Sequence, residues 1–373
     1  MPHAALARVP ARRRVTAALL PLLVVLPLAA CSDDGDAQDV TPDQTQAQPP
    51  AGTDPVLAEL AGGSALDIGF AIAPELLDEP EYRDIVDTHA TLVVAENVMK
   101  WETTEAAPGE WDFTAADELA AYAQEHGKKL YGHTLVWHSQ LPAWVSELDA
   151  EAMQAAMEEH VRTQVEHFKG QVVAWDVVNE AIDDNGRRRA ESPFQATLGD
   201  GYIEDAFRVA HEADPDAQLC YNDYDLEAIG IKSDAVYEMV SDLVERDVPI
   251  DCVGFQGHLT AGTLRDDLQE NIQRFVDLGL TVRFTEVDVR VHTPASDEDL
   301  AQQAKDYASV VTTCLAVEGC LGVTVWGVTD RYSWIPRWFE GYGAALLWDE
   351  DYQTKPAFDA VVTAIGAGRP GRS

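Results

Sequence analysis

Short apolar runs alternate with amphipathic segments along most of the chain. Eight runs have the length and the content of β-branched and aromatic residues that buried strands show; they lie at 66–72, 91–97, 129–137, 172–180, 218–223, 252–258, 280–289 and 322–328. Between them, apolar residues recur with helical spacing, which predicts helices at 117–127, 152–168, 202–213, 234–247, 266–279 and 297–316.

This alternation predicts an α/β fold. Eight strand and helix units in one chain favour a (β/α)8 TIM barrel that forms a single catalytic domain over residues 55–368. A doubly wound open sheet is the structural alternative, but no Gly-rich phosphate loop follows the first predicted strand.

The first thirty residues do not belong to this alternation. Arginines at 8 and 12–14 precede an apolar stretch at 15–28 that is too short and too interrupted by proline to span a bilayer, which is typical of a signal peptide over residues 1–30. Leu-Ala-Ala-Cys at 28–31 resembles the lipobox of bacterial lipoproteins, which implies a lipid on Cys31. An ordinary cleavage site with an incidental cysteine is the alternative, and twin-arginine export stays open beside the general route.

Residues 31–54 are rich in Asp, Gln, Pro and Thr and lack apolar periodicity, so a disordered linker is expected there, and residues 369–373 form a short tail. We therefore expect an exported monomer at the cell surface. Its membrane contact would run only through the lipid on Cys31, and without that lipid it would be secreted.

Charge narrows the class of ligand. Asp and Glu outnumber Lys and Arg by 65 to 26, which gives a formal net charge of −39. Such a surface repels nucleic acid and anionic membranes, whereas a neutral polymer fits it.

Four cysteines lie in the predicted domain. An even number in an exported chain favours disulfides, with three pairings possible. Close spacing suggests Cys314 with Cys320, which leaves Cys220 with Cys252 at two neighbouring apolar runs. A metal site is the alternative, but neither a CxxC motif nor histidine spacing supports it, and we expect no metal or cofactor.

Two glutamates stand out because each closes an apolar run. Glu180 ends the fourth predicted strand and Glu286 lies in the seventh. A carboxylate among Val, Trp and Phe is costly unless partners or function keep it there. Two carboxylates delivered by separate strands are also what acid/base cleavage of a glycosidic bond requires.

Other polar and aromatic residues follow the remaining predicted strands, which places them at the same barrel mouth. The segments that carry them are ENVMKW, GHTLVWHSQLPAW, WDVVNEA, YNDYD, GFQGH, TEVDVR and TVWGVTDRYSW. In this order they resemble the motifs of the family 10 glycoside hydrolases, which are endo-β-1,4-xylanases. The resemblance extends over residues 55–366.

The resemblance implies that Glu180 is the general acid/base and Glu286 the nucleophile of a retaining reaction on xylan or xylo-oligosaccharides. Retention predicts carboxyl groups about 5 to 5.5 Å apart. Asn179 would contact the sugar 2-hydroxyl. His258 can donate a hydrogen bond to Glu286, and Asp288, two residues further on the same strand face, can orient that histidine.

Substrate contacts are also implied by the resemblance. On the glycone side they would come from Glu96, Asn97, Lys100, His133, Trp137, Gln140, Gln256, Trp326 and Trp334, and on the aglycone side from Tyr224. Amides, carboxylates and ammonium groups suit sugar hydroxyls, and aromatic rings suit the apolar sugar faces. The resemblance also strengthens the cysteine pairing, because the family often carries disulfides at these two places.

Two other functions remain open at this point. A retaining cellulase or mannanase would use the same two glutamates in the same barrel. A lipid-anchored sugar-binding protein of an importer would suit the signal peptide and the linker, but it needs no glutamate pair.

Overall fold

A computed structural model describes residues 55–64 and 66–368. The predicted signal peptide at 1–30, Cys31 with the predicted linker at 31–54, and the tail at 369–373 lie outside the described residues. Within the described part of the chain, no helix combines the length and the apolar character needed to cross a lipid bilayer.

Ten strands lie in the described ranges. They are β1 (Asp67–Ile72), β2 (Leu92–Ala95), β3 (Lys129–Val136), β4 (Val172–Asn179), β5 (Gln218–Asp223), β6 (Cys252–Phe255), β7 (His258–Thr260), β8 (Thr281–His292), β9 (Cys320–Val325) and β10 (Tyr342–Gly343). Each of the eight predicted runs overlaps one of the longer strands, and the short strands β7 and β10 were not predicted as separate elements.

Eight of the strands close into a parallel barrel. Strands β1 to β6 pair in sequence, β6 continues to β8, and β9 pairs with both β8 and β1. At the closing seam, Phe70 of β1 is the register partner of Val325 of β9. An open sheet would leave two free edges, so the ring confirms the predicted (β/α)8 barrel and excludes the doubly wound alternative.

Helices occupy the connections. They are α1 (Leu57–Ser64), α2 (Pro80–His89), α3 (Trp101–Thr104), α4 (Thr114–Glu125), α5 (Ala150–His167), α6 (Pro193–Leu198), α7 (Gly201–Ala213), α8 (Ile231–Glu245), α9 (Leu268–Val276), α10 (Asp297–Ala316), α11 (Ile335–Trp338) and α12 (Pro356–Gly366). Short 3-10 turns cover Pro74–Asp78, Val145–Glu147 and Asp330–Tyr332. The six predicted helices correspond to α4, α5, α7, α8, α9 and α10.

Local sequence fixes several helix starts. Ser296 begins α10 with a capping box, because its hydroxyl accepts from Asp299 N at 3.2 Å while the Asp299 carboxylate accepts from Ser296 N at 3.0 Å. Helices α2 and α12 begin at Pro80 and Pro356, whose fixed φ suits the first helical position and whose missing N–H costs nothing there.

The core has two parts. Large side chains between the strands and the helices form the outer part, where Trp175 is fully buried against Gly132 of the neighbouring strand. An added Cβ at Gly132 would lie 2.1 Å from the indole, so only glycine fits. Ala174 precedes Trp175 on β4, so its side chain points to the opposite face of the strand, into the barrel interior. It belongs to a smaller buried cluster that also includes Tyr131 and Cys220.

Both predicted disulfides are confirmed. Cys220 and Cys252 are register partners on β5 and β6, with Cα atoms 4.5 Å apart. Cys314 near the end of α10 is joined to Cys320 at the start of β9, with Cα atoms 5.1 Å apart.

Two strand predictions need correction. The sixth run, predicted as one strand over 252–258, breaks after Phe255, because Gly257 adopts a positive φ of 78° before β7 begins. Glu286 does not end its strand, since β8 continues to His292. That extension is paired, with β7 beside Asp288–Arg290 and β10 beside Val291 and His292.

Candidate active site

The carboxyl ends of the barrel strands gather polar and aromatic side chains at one mouth, the face on which (β/α)8 barrels place their active sites. Strand β2 leads to Glu96 and Asn97, β3 carries His133 and leads to Trp137, and β4 carries Asn179 and leads to Glu180. Further round the ring, β5 carries Asn222, β6 leads to Gln256, β8 carries Glu286 and Asp288, and β9 leads to Trp326. Hydrogen bonds join these strands to one another across the mouth.

Glu286 is buried, with 4% of its surface exposed, and both its carboxylate oxygens have partners. Asn222 Nδ2 donates to Oε1 over 2.7 Å, and His258 Nε2 lies 3.2 Å from Oε2. An ion buried without partners costs several kcal/mol. The two donors offset that cost and hold the carboxylate in one orientation.

His258 links Glu286 to a second carboxylate. Its Nδ1 lies 2.9 Å from Asp288 Oδ2, and Trp334 Nε1 donates to the same oxygen over 2.8 Å. Burial lowers the pKa of His258, but the charges and hydrogen bonds of Asp288 and Glu286 outweigh burial and raise the pKa to about 10. The imidazole is therefore a cation at neutral pH and donates to both carboxylates.

Glu180 has a different environment. It is half-buried, and its carboxylate accepts from Trp137 Nε1 at 2.9 Å and from Gln256 Nε2 at 3.0 Å. Both donors are neutral groups. The two glutamates therefore differ in the charge of their hydrogen-bond donors, since only Glu286 accepts from a cation.

The backbone of Glu180 is held in an unusual conformation. Its φ is +58°, a left-handed value that costs a non-glycine residue on the order of 1 to 3 kcal/mol. Its N–H donates to Asn222 O over 2.9 Å, and Arg189 Nε donates to its carbonyl over 2.7 Å. These bonds fix the turn that aims the carboxyl group across the mouth.

Amide groups connect the two glutamates. Thr285 Oγ1 donates to Asn222 Oδ1 over 2.7 Å, so the Asn222 Nδ2 group points to Glu286 and, at 2.9 Å, to Asn179 Oδ1. Asn179 Nδ2 consequently faces Glu180 Oε1 at 3.4 Å. Asn179 thus lies beside Glu180 and is linked to Glu286 through Asn222.

Beneath this layer, His133 and Asp176 form a buried pair. His133 Nδ1 lies 2.8 Å from Asp176 Oδ2, and Tyr131 Oη donates to Asp176 Oδ1 over 2.7 Å. Burial lowers the pKa of His133 and raises that of Asp176. His133 is therefore neutral, and only its Nε2 remains for a substrate.

Among the described residues, one group of side chains could face a common cation, namely His133, Asp176 and Glu286, whose donor atoms lie within 4.8 Å of one another. Direct hydrogen bonding already connects His133 with Asp176, and Asn222 and His258 occupy the Glu286 oxygens. These groups satisfy one another without an ion.

A second polar cluster lies beyond β2 and β3. Lys100 Nζ donates to Asn97 Oδ1 over 3.1 Å and to Gln140 Oε1 over 2.7 Å, and Asn97 donates to Glu96 over 3.4 Å. Lys100 Nζ also lies 4.9 Å from the centre of the Trp137 ring. The predicted glycone residues are therefore adjacent and offer both charges beside an aromatic face.

Trp326 and Trp334 line the wall between this cluster and Glu286. Trp326 meets the His133 ring edge-on at 5.1 Å, and Trp334 packs against His258 at 4.9 Å. Each indole of this wall is therefore packed against a histidine of the site.

Tyr224 lies on the opposite side of Glu180, after β5. Its hydroxyl donates to Asp184 over 2.5 Å and accepts from Arg189 Nη2 over 2.9 Å. The Lys232 ammonium lies 2.9 Å from the centre of its ring. The predicted catalytic and substrate-contact residues thus lie at or just beyond the carboxyl ends of the barrel strands, near the mouth.

The sequence prediction gave no role to several residues that hold this site. Asn222 was placed at the barrel mouth with the segment YNDYD, but its contact with Glu286 was not predicted. Asp176 offered a weaker signal, a carboxylate inside a strand. Arg189 lies in a connection whose shape the sequence does not specify, and Lys232 lies in the first turn of α8, before the predicted helix at 234–247 begins, so no pattern pointed to either residue.

Comparison with known proteins adds an independent result. Residues 56–364 match the family model for glycosyl hydrolase family 10. An endo-1,4-beta-xylanase of Agaricus bisporus is 42% identical over 292 residues, which cover 78% of this chain and 87% of the relative. Endo-1,4-beta-xylanase B of Thermotoga neapolitana is 38% identical over 349 residues, or 92% of this chain and 96% of the relative.

A solved structure is similar in fold as well. The crystal structure of xylanase 10B from Thermotoga petrophila RKU-1 in complex with xylobiose superposes with a TM-score of 0.83. The two sequences are 40% identical, and the match covers 85% of this chain and 99% of the other.

Proposed function

Because the chain belongs to glycosyl hydrolase family 10, we propose that it hydrolyses internal β-1,4-xylosidic bonds of xylan with retention of configuration. Glu286 is the nucleophile and Glu180 the general acid/base. The relatives with matching length are named as endo-1,4-beta-xylanases, and one of the similar structures was solved with xylobiose.

The roles of the two glutamates are assigned from the charge of the groups that donate hydrogen bonds to them. Glu286 accepts from the His258 cation, which favours the ionised form that a nucleophile needs. Glu180 accepts only from neutral groups, those of Trp137, Gln256 and Asn179, so it lacks the cationic donor that holds Glu286, as suits a group that serves first as acid and then as base.

The reaction then proceeds in two displacements. Glu286 attacks the anomeric carbon while Glu180 donates its proton to the glycosidic oxygen, so the aglycone leaves and a covalent glycosyl ester remains. Ionised Glu180 next takes a proton from water, whose oxygen attacks the anomeric carbon and releases Glu286. Two inversions restore the original configuration.

Substrate selection follows from the side chains that surround the two glutamates. Asn179 contacts the 2-hydroxyl of the sugar at the cleavage point, a bond that strengthens in an oxocarbenium-like transition state. The cluster of Lys100, Asn97 and Gln140 binds the hydroxyls of the preceding sugar. The indoles of Trp326 and Trp334 crowd the position of a hydroxymethyl group, which disfavours glucose polymers although steric rejection of this kind is incomplete.

A polymer panel tests the substrate. We expect reducing sugar to be released fastest from xylan, and more slowly or not at all from carboxymethylcellulose and mannan. Clear preference for either of the other polymers would refute the assignment. Binding of xylan without turnover, unchanged in Glu286→Ala, would instead support the importer alternative.

Two substitutions test the roles of the glutamates. Glu286→Ala should lower kcat on every substrate by more than about 10⁴-fold, because no covalent intermediate forms. Glu180→Ala should lose about 10²- to 10⁴-fold on xylan but retain glycosylation of dinitrophenyl xylobioside, whose leaving group needs no proton. Glu151→Ala, at an exposed position of α5, is the control. Equal losses of activity on both substrates in Glu180→Ala would show that Glu180 is not the general acid.

We also propose that the enzyme acts outside the cytoplasm, attached by a lipid on Cys31. The lipobox-like sequence at 28–31 and two disulfides support export. Full-length protein produced in a bacterial host with radiolabelled palmitate should carry the label, and Cys31→Ser should lose it and appear in the medium. A label that persists in Cys31→Ser would exclude this anchor.

A further inference from the structure

Arg189 lies close to Glu180, but the two-glutamate mechanism assigns it no role. It lies nine residues after Glu180 in the connection that follows β4, and only 7% of its surface is exposed. A buried guanidinium needs several acceptors, and this one has four. They are Glu180 O at 2.7 Å from Nε, Ile182 O and the Tyr224 hydroxyl at 2.9 Å from Nη2, and Glu191 at 3.0 Å from Nη1.

One side of the guanidinium holds the backbone that presents the acid/base. Its bonds to the carbonyls of Glu180 and Ile182 lie on either side of Ala181, whose N–H donates to Tyr221 Oη over 3.0 Å. Glu180 is the residue with a left-handed φ, so these bonds decide where its carboxyl group points.

The other side holds the aromatic ring on the aglycone flank. Tyr224 is fixed by its hydroxyl through Arg189 and Asp184, by its N–H through Asp223 at 3.0 Å, and by Lys232 at one ring face. Lys232 Nζ in turn lies 2.8 Å from Asp223 Oδ1. The ring can therefore shift only if the Arg189 contact shifts with it.

We propose that Arg189 is a positioning residue that couples the aglycone flank to the acid/base, so that a sugar resting on Tyr224 holds the Glu180 carboxyl group in place for proton transfer. This inference rests on the proposed function. The planar fork of arginine reaches the Glu180 turn and the Tyr224 hydroxyl together, which the single ammonium of lysine cannot do. None of the four hydrogen bonds of Arg189 goes to the nucleophile, whose carboxylate is held by Asn222 and His258.

The variant Arg189→Lys in the full-length protein tests this coupling on two substrates. We expect kcat/KM on xylotetraose to fall about 100-fold, the loss typical of a reacting group displaced by about 1 Å. On dinitrophenyl xylobioside, kcat/KM should stay within about threefold of wild type, because it reports glycosylation, which there needs neither a proton nor an aglycone sugar. Arg187→Lys, the same change at an exposed position two residues earlier, should match wild type on both substrates.

A purely structural role would lower both values together, and equal losses in Arg189→Lys would overturn the proposal. Tyr224→Phe gives a second test that keeps the ring and removes only the hydroxyl. On xylotetraose, the effects of Tyr224→Phe and Arg189→Lys should be less than additive in the double variant, because both break one contact. Additive losses would contradict coupling. If wild type cleaves no xylan the proposed function itself fails, whereas an unchanged substrate ratio in an active variant overturns only this inference.

Discussion

His258 is the residue whose charge organises the nucleophile. Its cation lies between the carboxylates of Glu286 and Asp288, at 3.2 and 2.9 Å. Without it, two buried negative charges would face each other two residues apart on one strand face. The histidine therefore stabilises the fold and the ionised nucleophile through the same pair of contacts.

This gives a pH-dependent prediction. The pKa of His258 is about 10 in the folded state and about 6.5 when unfolded, so its stabilisation is complete below pH 6.5 and declines as pH rises through 10. The free energy of unfolding of wild type should exceed that of His258→Asn most near pH 6.5. This difference should shrink towards pH 10 by at most about 1.4 kcal/mol per unit. Urea titrations at several pH values measure it.

His211→Asn, at an exposed position on α7, is the matched control and should show no such decline. A difference between wild type and His258→Asn that stays constant from pH 6.5 to 10 would mean that His258 is not held as a cation.

At the scale of single residues, catalytic side chains are easier to predict from the sequence than the side chains that position them. Glu286 lies inside β8 and His258 begins β7, where strand alternation fixes the direction of the side chain, and Glu180 directly follows the predicted strand motif WDVVNE. Arg189 acts through its reach across a connection, and that reach depends on the turn at 183–187, where Asp183 accepts from the backbone of Asn185 and Arg187. Periodicity contains no information about such a turn.

At the scale of elements, β6 shapes the site through Gly254, a residue without a side chain. Gly254 lies between β5 and β8, and an added Cβ would come within 2.2 Å of Asn222 Oδ1 and 2.9 Å of Thr285 Cγ2. Asn222 donates to Glu286, so the glycine provides the space in which the nucleophile's neighbour lies.

Gly254→Ala should therefore impair catalysis through a strand that contacts no substrate. We expect kcat on xylan to fall about 10- to 100-fold, because Asn222 must move away from Glu286. Gly201→Ala, where nothing lies within 4 Å of an added Cβ, should leave kcat unchanged. Steady-state kinetics and a crystal structure of the variant measure both effects, and full activity with Asn222 in place would contradict this account.

Elements were predicted unevenly for a physical reason. Long apolar runs such as 172–180 gave their strands to within one residue, because burial on both faces leaves a continuous signal. Helices α2 and α12, which begin at prolines, were not predicted. The continuation of β8 beyond Glu286 depends on pairing with β7 and β10, which are distant in sequence and too short to be recognised.

At the scale of the whole molecule, charge dominates. Lys and Arg total 26 against 65 acidic residues, so even if each cation paired with one acid, 39 negative charges would remain without partners. Their mutual repulsion destabilises the compact state, and salt screens it, since the Debye length falls from about 30 Å at 0.01 M to about 3 Å at 1 M.

The melting temperature should consequently rise with salt. Between 0.01 and 0.5 M NaCl we expect an increase of at least about 2 °C, which corresponds to roughly 1 kcal/mol for a domain of this size. KCl should act equally, because screening depends on ionic strength and not on the identity of the cation. A rise with only one of the two salts would point to a bound ion, and no rise with either would show that the acidic surface is spaced widely enough for repulsion to be negligible. The outcome matters for function, because binding of a neutral polysaccharide gains nothing from this charge, so the benefit that offsets the repulsion is solubility.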